Sequence, residues 1–493
     1  MFKEKYQVYV VLITALMFGA AGLASGIAVY DDLWYHLLTG RYIYLHQEIP
    51  DSGFMVYNHT SMPMFYHSWL TQLFLYLVFL LGGVPLLKVL NVLLGLLAGA
   101  ALYYLFRRRA GLFSFFVLLP VTVFFANFFL NLRPSVFSLI FFSVILALLH
   151  DFREKKKRVT VVLITVLMVI WTNMHGFWAF GLALTALFAL DALLQKDAGE
   201  YLPLLAGGAI VLVMAFIRLG GPEAFYTLPQ NGTRIIQNNV HEWYSPLYAL
   251  KLFTNIKDVS TMAAVGFLRV LPPILITAVV LLILFFKKRP RIDYLLGLAF
   301  GSLTLFSARN MLFMIPVFVY IAGPVLEDYL DRRTVHKKTI VGLSLLLQVV
   351  LMTSFAINYT AFKAKPLPLE NLVARLPLAN NLIITHPNIA DYILFLHNKD
   401  GWNQYNYVLA DIRFELYEPK EMENLNGLLE GHLENMPSAG SGRLTPVFIL
   451  TEDMPLLAKL IKNPNYNVIA EEEGFYLVVD KNLRHISGIN FTL

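Results

Sequence analysis

Six places in this 493-residue chain put chemically capable residues at the ends of long apolar runs: Asp31 and Asp32, Asn131 and Arg133, Asn173 and His175, Arg218 and Glu223, His241 and Glu242, and Arg309 and Asn310. The acidic pair runs straight into Leu33-Trp34-Tyr35-His36. A carboxylate held at a membrane surface and shielded by aromatic rings can take a proton as a general base, or ligate a divalent cation such as Mg2+ or Mn2+. Arg133, Arg218 and Arg309 suit phosphate, because guanidinium offers a fixed fork of donors to phosphate oxygens. With His36, His175 and Glu242 as further polar contacts, the set describes a place where a lipid headgroup meets an aqueous substrate. Singly, each residue also fits a plainer role: an acidic pair closing a helix, or an arginine snorkelling to the interface.

The composition explains why these positions stand out. The chain carries 39 Lys+Arg and 33 Asp+Glu, far below the charge of an ordinary soluble chain of this length, where about a quarter of residues are charged. With 57% apolar residues and a mean hydropathy of +0.60, it is a membrane protein. It contains no cysteine, which excludes disulfides, thiolate metal sites and a cysteine nucleophile. No His cluster has zinc-ligand spacing.

Apolar runs of spanning length are read at 7–29, 84–106, 111–130, 134–150, 159–174, 176–194, 201–217, 262–286, 292–308, 311–326 and 339–358, about eleven transmembrane helices. The first follows Lys3 and Lys5 but is long and lacks a small-residue cleavage pattern, so it reads as a retained anchor rather than a signal peptide. With the N-terminus in the cytoplasm, the inner segments hold 19 basic residues: Lys3, Lys5, Arg107 to Arg109, Arg153, Lys155 to Arg158, Lys196, Lys287 to Arg289, Arg291, Arg332, Arg333, Lys337 and Lys338. The longer outer connections hold nine. The net charge of +6 is therefore topological, and nucleic acid is not an expected partner.

Residues 68–81 are apolar but too short to span, and 33–47 form an amphipathic stretch. The first outer loop, 30–83, is therefore expected to carry two helices at the membrane surface. Division at residue 358 gives a transmembrane domain, 1–358, and an extracytoplasmic domain, 359–493, after a linker marked by Pro366, Pro368 and Pro377. In the second domain short strand-like runs (382–385, 407–410, 447–450, 475–479) alternate with helical ones (389–397, 421–434, 454–461), which predicts a small α/β fold.

The run from Asp31 to Gly40, then Ile49-Pro50-Asp51, His67-Ser68-Trp69-Leu70 and Leu81-Gly82-Gly83, resembles the first outer loop of bacterial polytopic proteins related to the GT-C glycosyltransferases. The likeness continues in Arg133-Pro134, Trp171-Thr172-Asn173-Met174-His175-Gly176, Glu242-Trp243, Ala308-Arg309-Asn310, and Asp411-Ile412-Arg413 with Tyr417. It implies a bacterial inner-membrane enzyme that takes a sugar from a polyprenyl-phosphate-type carrier and transfers it, outside the cytoplasm, to a glycan, lipid or protein acceptor. It also implies an acidic catalytic residue in the first outer loop, which Asp32 matches. The chain departs from the pattern two residues earlier, where Tyr30 stands in place of an acid.

The residues themselves agree on one point: no glycine-rich phosphate loop is present, so an activated sugar would arrive attached to lipid. The resulting expectation is an inverting transferase with Asp32, or failing that Asp31, as base. The alternative is a lipid or polysaccharide transporter, or a noncatalytic subunit of an envelope assembly. A transporter should carry ionisable groups along a pathway near the bilayer midplane, whereas Lys88, Asp191 and Arg269 lie near the ends of runs. Asp411 and Arg413 read either as acceptor contacts or as a structural pair.

Overall fold

The structure is a computed structural model that describes residues 2–28, 31–195, 198–218, 245–246, 261–332, 334–363, 369–376, 381–398, 406–411, 413, 417–436 and 444–481. The chain is an α-helical, multi-pass membrane protein with a small mixed β-sheet domain towards its C-terminus. It resolves into two compact units, one of residues 1–26, 81–221 and 237–364 and one of 27–80, 222–236 and 365–493.

The helical unit contains α1 (Phe2–Ala24), the second arm of α3 (Trp69–Arg107), α4 (Leu112–Ala126), α5 (Pro134–Lys155), α6 (Arg158–Met174), α7 (Trp178–Leu194), α8 (Ala198–Arg218), α9 (Thr261–Phe286), α10 (Arg291–Phe306), α11 (Met311–Arg332) and α12 (Thr334–Lys363); α2 (Leu33–His46) lies in the other unit. Each apolar run falls mainly on one of these helices. Gln7–Ala24, Trp69–Arg107, Leu112–Phe129, Pro134–Lys155, Ala308–Arg332 and Thr339–Tyr359 are long and apolar enough to cross a bilayer, and Arg158–Met174, Trp178–Leu194, Tyr201–Ile217 and Leu271–Phe286 are shorter apolar helices. The first half of α11 is the core of the unit, buried from Met311 through Gly323, and it packs on α4, α5 and α10.

One end of this bundle is tied by ion pairs. Arg109, just beyond α3, and Arg289, just beyond α9, both bond the fully buried Asp293 in the first turn of α10, at 2.9 and 2.8 Å. Arg108 pairs with Asp151 at 3.2 Å and Arg153 with Asp191 at 3.4 Å. Basic residues from three of the loops read as cytoplasmic are thus gathered at a single end of the unit.

The 39-residue α3 is interrupted at Gly82 and Gly83, where the backbone leaves helical geometry. Gly83 adopts φ 60°, ψ −155°, a region in which a Cβ would clash with its own backbone. The apolar 68–81 stretch is therefore an arm separate from the helix that follows. It belongs to the second unit, as does α2.

In that unit α2 differs from the expected amphipathic surface helix. Nine of its fourteen residues are buried, because the indole of Trp34 packs on Tyr392 and Phe395 at 4.4 and 5.5 Å between ring centres. Both partners lie on α14 (Pro387–His397), whereas α13 (Glu370–Val373) precedes the sheet. The sheet is formed by β1 (Asn381–Ile384), β2 (Tyr407–Val408), β3 (Thr445–Thr451), β4 (Tyr466–Glu472) and β5 (Phe475–Asp480), in the order β2-β1-β3-β5-β4. The first three are parallel, and β5 pairs antiparallel with β3 and β4. Helices α15 (Pro419–Leu429) and α16 (Pro455–Lys462) supply Leu428, Leu456, Leu457 and Leu460 to a core with Leu382, Phe448 and Val478.

The strand-like runs at 447–450 and 475–479 lie on β3 and β5, the run at 382–385 overlaps β1, and of 407–410 only Tyr407–Val408 is strand. Strand β4 was not legible in the sequence, because its apolar residues give way to Glu471-Glu472-Glu473 without a clean alternation. The free edge of β2 is covered by the connection between α2 and α3: the Tyr57 amide donates to the Val408 carbonyl at 2.9 Å, and the Val408 amide to the Met55 carbonyl at 3.0 Å.

Candidate functional site

In the helical unit, at the end of α5 remote from the ion pairs, Arg133 and Arg309 line one small pocket with Asn131, Ser135, Phe128, Phe129, Phe177 and Leu312. Local sequence explains both arginine placements. Pro134 at the first position of α5 forces the preceding residue into extended backbone, and Arg133 has φ −123°, ψ 155° as the cap of that helix. Its amide donates to the Asn131 carbonyl at 2.7 Å, tightening the turn. Arg309 lies in the short 3-10 turn Ala308–Asn310 that leads into α11. Asn310 pins this turn by donating from its side chain to the Leu303 carbonyl at 2.8 Å.

The guanidinium of Arg309 lies 5.2 Å from the centre of the Phe177 ring, a cation-π approach that holds the planar group in place. The pocket thus combines two guanidinium groups, the N-terminal end of a 22-residue helix and an aromatic wall. Helix N-termini and arginine forks both favour anions. An anion with an apolar tail matches the two kinds of lining.

His175 follows α6 in extended backbone and is buried. It reaches the pocket wall through Phe177, whose ring centre is 4.4 Å away. The indole Nε1–H of Trp171 donates to Ser138 Oγ at 2.8 Å, and Ser138 Oγ lies 2.7 Å from His175 Nδ1. The indole only donates, so the serine accepts from it, and which of Ser138 Oγ and His175 Nδ1 donates to the other depends on the imidazole tautomer.

Asp31, Asp32 and His36 lie in the second unit. The Asp31 carboxylate accepts from the Ala28 amide, and Trp34 Nε1 donates to the Ala28 carbonyl at 2.8 Å, so the entry to α2 is locked from both sides. Asp32 is the half-buried cap residue of α2, and its side chain makes no capping bond. The Gln72 amide stands 3.3 Å from Nδ1 of the buried His36. Among the described residues no three His, Asp or Glu side chains gather as a metal ion requires.

Arg218 ends α8, and nothing is described of its side chain. Glu242 lies outside the described residues, as do Glu223, His241 and Tyr30. Sequence reasoning missed Ser138 and Phe177. Ser138 follows Arg133-Pro134 by one helical turn, and Phe177 follows His175-Gly176 directly, so proximity to those motifs was the available signal.

Asp411 and Arg413 form a buried pair. Arg413 Nε donates to Asp411 at 2.7 Å, Nη1 to the Tyr66 hydroxyl at 3.0 Å and Nη2 to the Phe54 carbonyl at 2.8 Å. Burial works against the Arg413 charge, but Asp411 more than offsets it and holds the guanidinium well above its ordinary range. The pair ties the connection between α2 and α3 to the sheet domain, in keeping with the structural reading.

No protein-family model and no curated protein sequence matches the chain. Solved structures do. The Archaeoglobus fulgidus oligosaccharyltransferase tethered to an acceptor peptide aligns with a TM-score of 0.59 and 11% identity over 91% of this chain and 69% of that one. ArnT from Cupriavidus metallidurans bound to undecaprenyl phosphate aligns with a TM-score of 0.53 and 13% identity over 96% of this chain and 97% of that one. At such identities the likeness establishes the fold alone: the chain shares the polytopic membrane fold of these two structures.

Proposed function

We propose that this chain is a membrane glycosyltransferase that takes a sugar from a polyprenyl-phosphate-type lipid donor and transfers it to an envelope acceptor on the outer face of the bacterial inner membrane. The observation that carries the reading is the shared pocket of Arg133 and Arg309, two guanidinium groups from separate elements beside an aromatic wall. The fold shared with an oligosaccharyltransferase and with ArnT supports it. The N-terminus is assigned to the cytoplasm and the sheet domain to the outside by the bias of the basic loops.

In this reaction Asp32 takes the proton of the acceptor hydroxyl as its oxygen bonds to the anomeric carbon. The bond from that carbon to the phosphate oxygen breaks, and the lipid phosphate leaves with the bonding electrons. Arg133 and Arg309 stabilise the charge that develops there. Displacement from the opposite face inverts the anomeric centre.

The test is a reconstitution of purified protein with labelled polyprenyl-linked sugars and envelope extract, following covalent product separately from lipid movement. Asp32→Asn keeps the shape and removes the base. It is expected to bind the lipid donor normally while transfer falls on the order of 100-fold or more. Lipid translocation by wild type without any covalent product would replace the reading with a transporter, and full transfer by Asp32→Asn would move the base elsewhere.

A further inference from the structure

Asn91 lies in the second arm of α3 and is buried. Its side-chain amide faces three backbone carbonyls: Gly22 at 2.7 Å, and Ser25 and Leu130 each at 3.4 Å. Gly22 and Ser25 belong to the C-terminal end of α1, where helical carbonyls lack intrahelical partners. Leu130 closes the 3-10 turn Asn127–Phe129 and directly precedes Asn131 and Arg133. One NH2 group with two hydrogens therefore serves three acceptors on two separate segments.

The contact has no slack. A Cβ on Gly22 would stand 2.7 Å from the Asn91 carbonyl oxygen, so α1 and α3 meet backbone to backbone and the amide is held at fixed height. The Asn91 Oδ1 atom is buried and has no hydrogen-bond partner among the described residues. A buried oxygen left without a partner is destabilising. A residue whose work was only to fill space between α1 and α3 would be better served by an apolar side chain.

We infer that Asn91 is a positioning residue for the arginine pocket: its amide anchors the Leu130 carbonyl to the end of α1 and thereby fixes the turn that presents Asn131 and Arg133. The inference rests on the glycosyltransferase reading only for what the pocket binds. The anchoring itself is a statement about the 127–133 turn.

The experiment uses the full chain in nanodiscs and the variant Asn91→Leu, which keeps the approximate volume and removes both donors. Amide hydrogen exchange at Leu130 and Arg133, whose backbone bonds define the turn, should accelerate on the order of tenfold, while exchange in α11 stays at the wild-type rate. Binding of a polyprenyl monophosphate probe should weaken by a comparable factor. In the cycle with Arg133→Ala, the double variant should bind no more weakly than Arg133→Ala alone, because the amide acts through that arginine.

Additive losses, or exchange that rises uniformly through the helical unit, would reduce Asn91 to a packing residue. If Arg133→Ala leaves probe binding intact, the lipid-phosphate reading fails, and the exchange at Leu130 still decides the anchoring. Should Asn91→Leu fail to insert, Asn91→Ser, which keeps a single shorter donor, carries the same measurements, and wild-type exchange at Leu130 in that variant would overturn the inference.

Discussion

Arg413 and Asp411 form a fully enclosed ion pair, Nε to Oδ2 at 2.7 Å, in which the arginine also grips the Phe54 carbonyl and the Tyr66 hydroxyl from the connection between α2 and α3. The Tyr417 hydroxyl accepts from the Asp411 amide at 2.8 Å and donates to its carboxylate at 3.2 Å, completing the set. Arg413→Ala leaves a buried carboxylate without its cation, a defect that typically costs about 3–5 kcal/mol. Thermal unfolding together with limited proteolysis of the purified protein should show loss of the 27–80 and 365–493 unit. A variant that melts with wild type would mean that the pair adds little to holding loop and sheet together.

His386 caps α14 by accepting from the Asn388 amide through Nδ1, and burial lowers its pKa from the ordinary value, with Asp453 opposing. The folded pKa therefore lies below the unfolded one, near 6.5, and the unfolded chain binds the proton more readily. Stability of the sheet domain is complete above that value and declines as the pH falls from about 6.5 towards the folded pKa. His386→Asn keeps a capping side chain and should flatten this slope in melts recorded from pH 7.5 to 5. An unchanged slope would assign the dependence to other groups.

Arg309→Lys keeps the charge but loses the planar fork and its stacking on Phe177. Binding of a polyprenyl monophosphate, measured in detergent, should weaken by roughly tenfold, more than charge counting allows. Affinity equal to wild type would remove Arg309 from the phosphate cradle.

Reporter fusions after Arg109, Arg158 and Arg291 should signal cytoplasm, and insertion near Pro63 should signal the outside, given the basic bias of the alternate loops. The clustering of Arg108, Arg109, Arg153 and Arg289 at one end of the bundle supports the same side for all of them. An externally reporting fusion after Arg109 would invert the assignment.

Helix positions in the membrane were written in local order. Twenty apolar residues in a row have few alternatives in a bilayer, and the breaks at Gly82-Gly83 and Arg133-Pro134 follow from single residue types with restricted or unusual backbones. Strands β1, β2, β3 and β5 were equally legible as short apolar runs. What local order did not contain was partnership. The burial of α2 depends on Trp34 meeting Tyr392 and Phe395 some 360 residues away in the chain. The joining of Arg133 and Arg309 in one pocket and the three carbonyls held by Asn91 are likewise long-range. Such contacts are set by which helices cross and at what height. Hydrophobic periodicity states which face of a helix is buried but not against what, so only the tertiary structure decided which of the polar residues at helix ends would share a site.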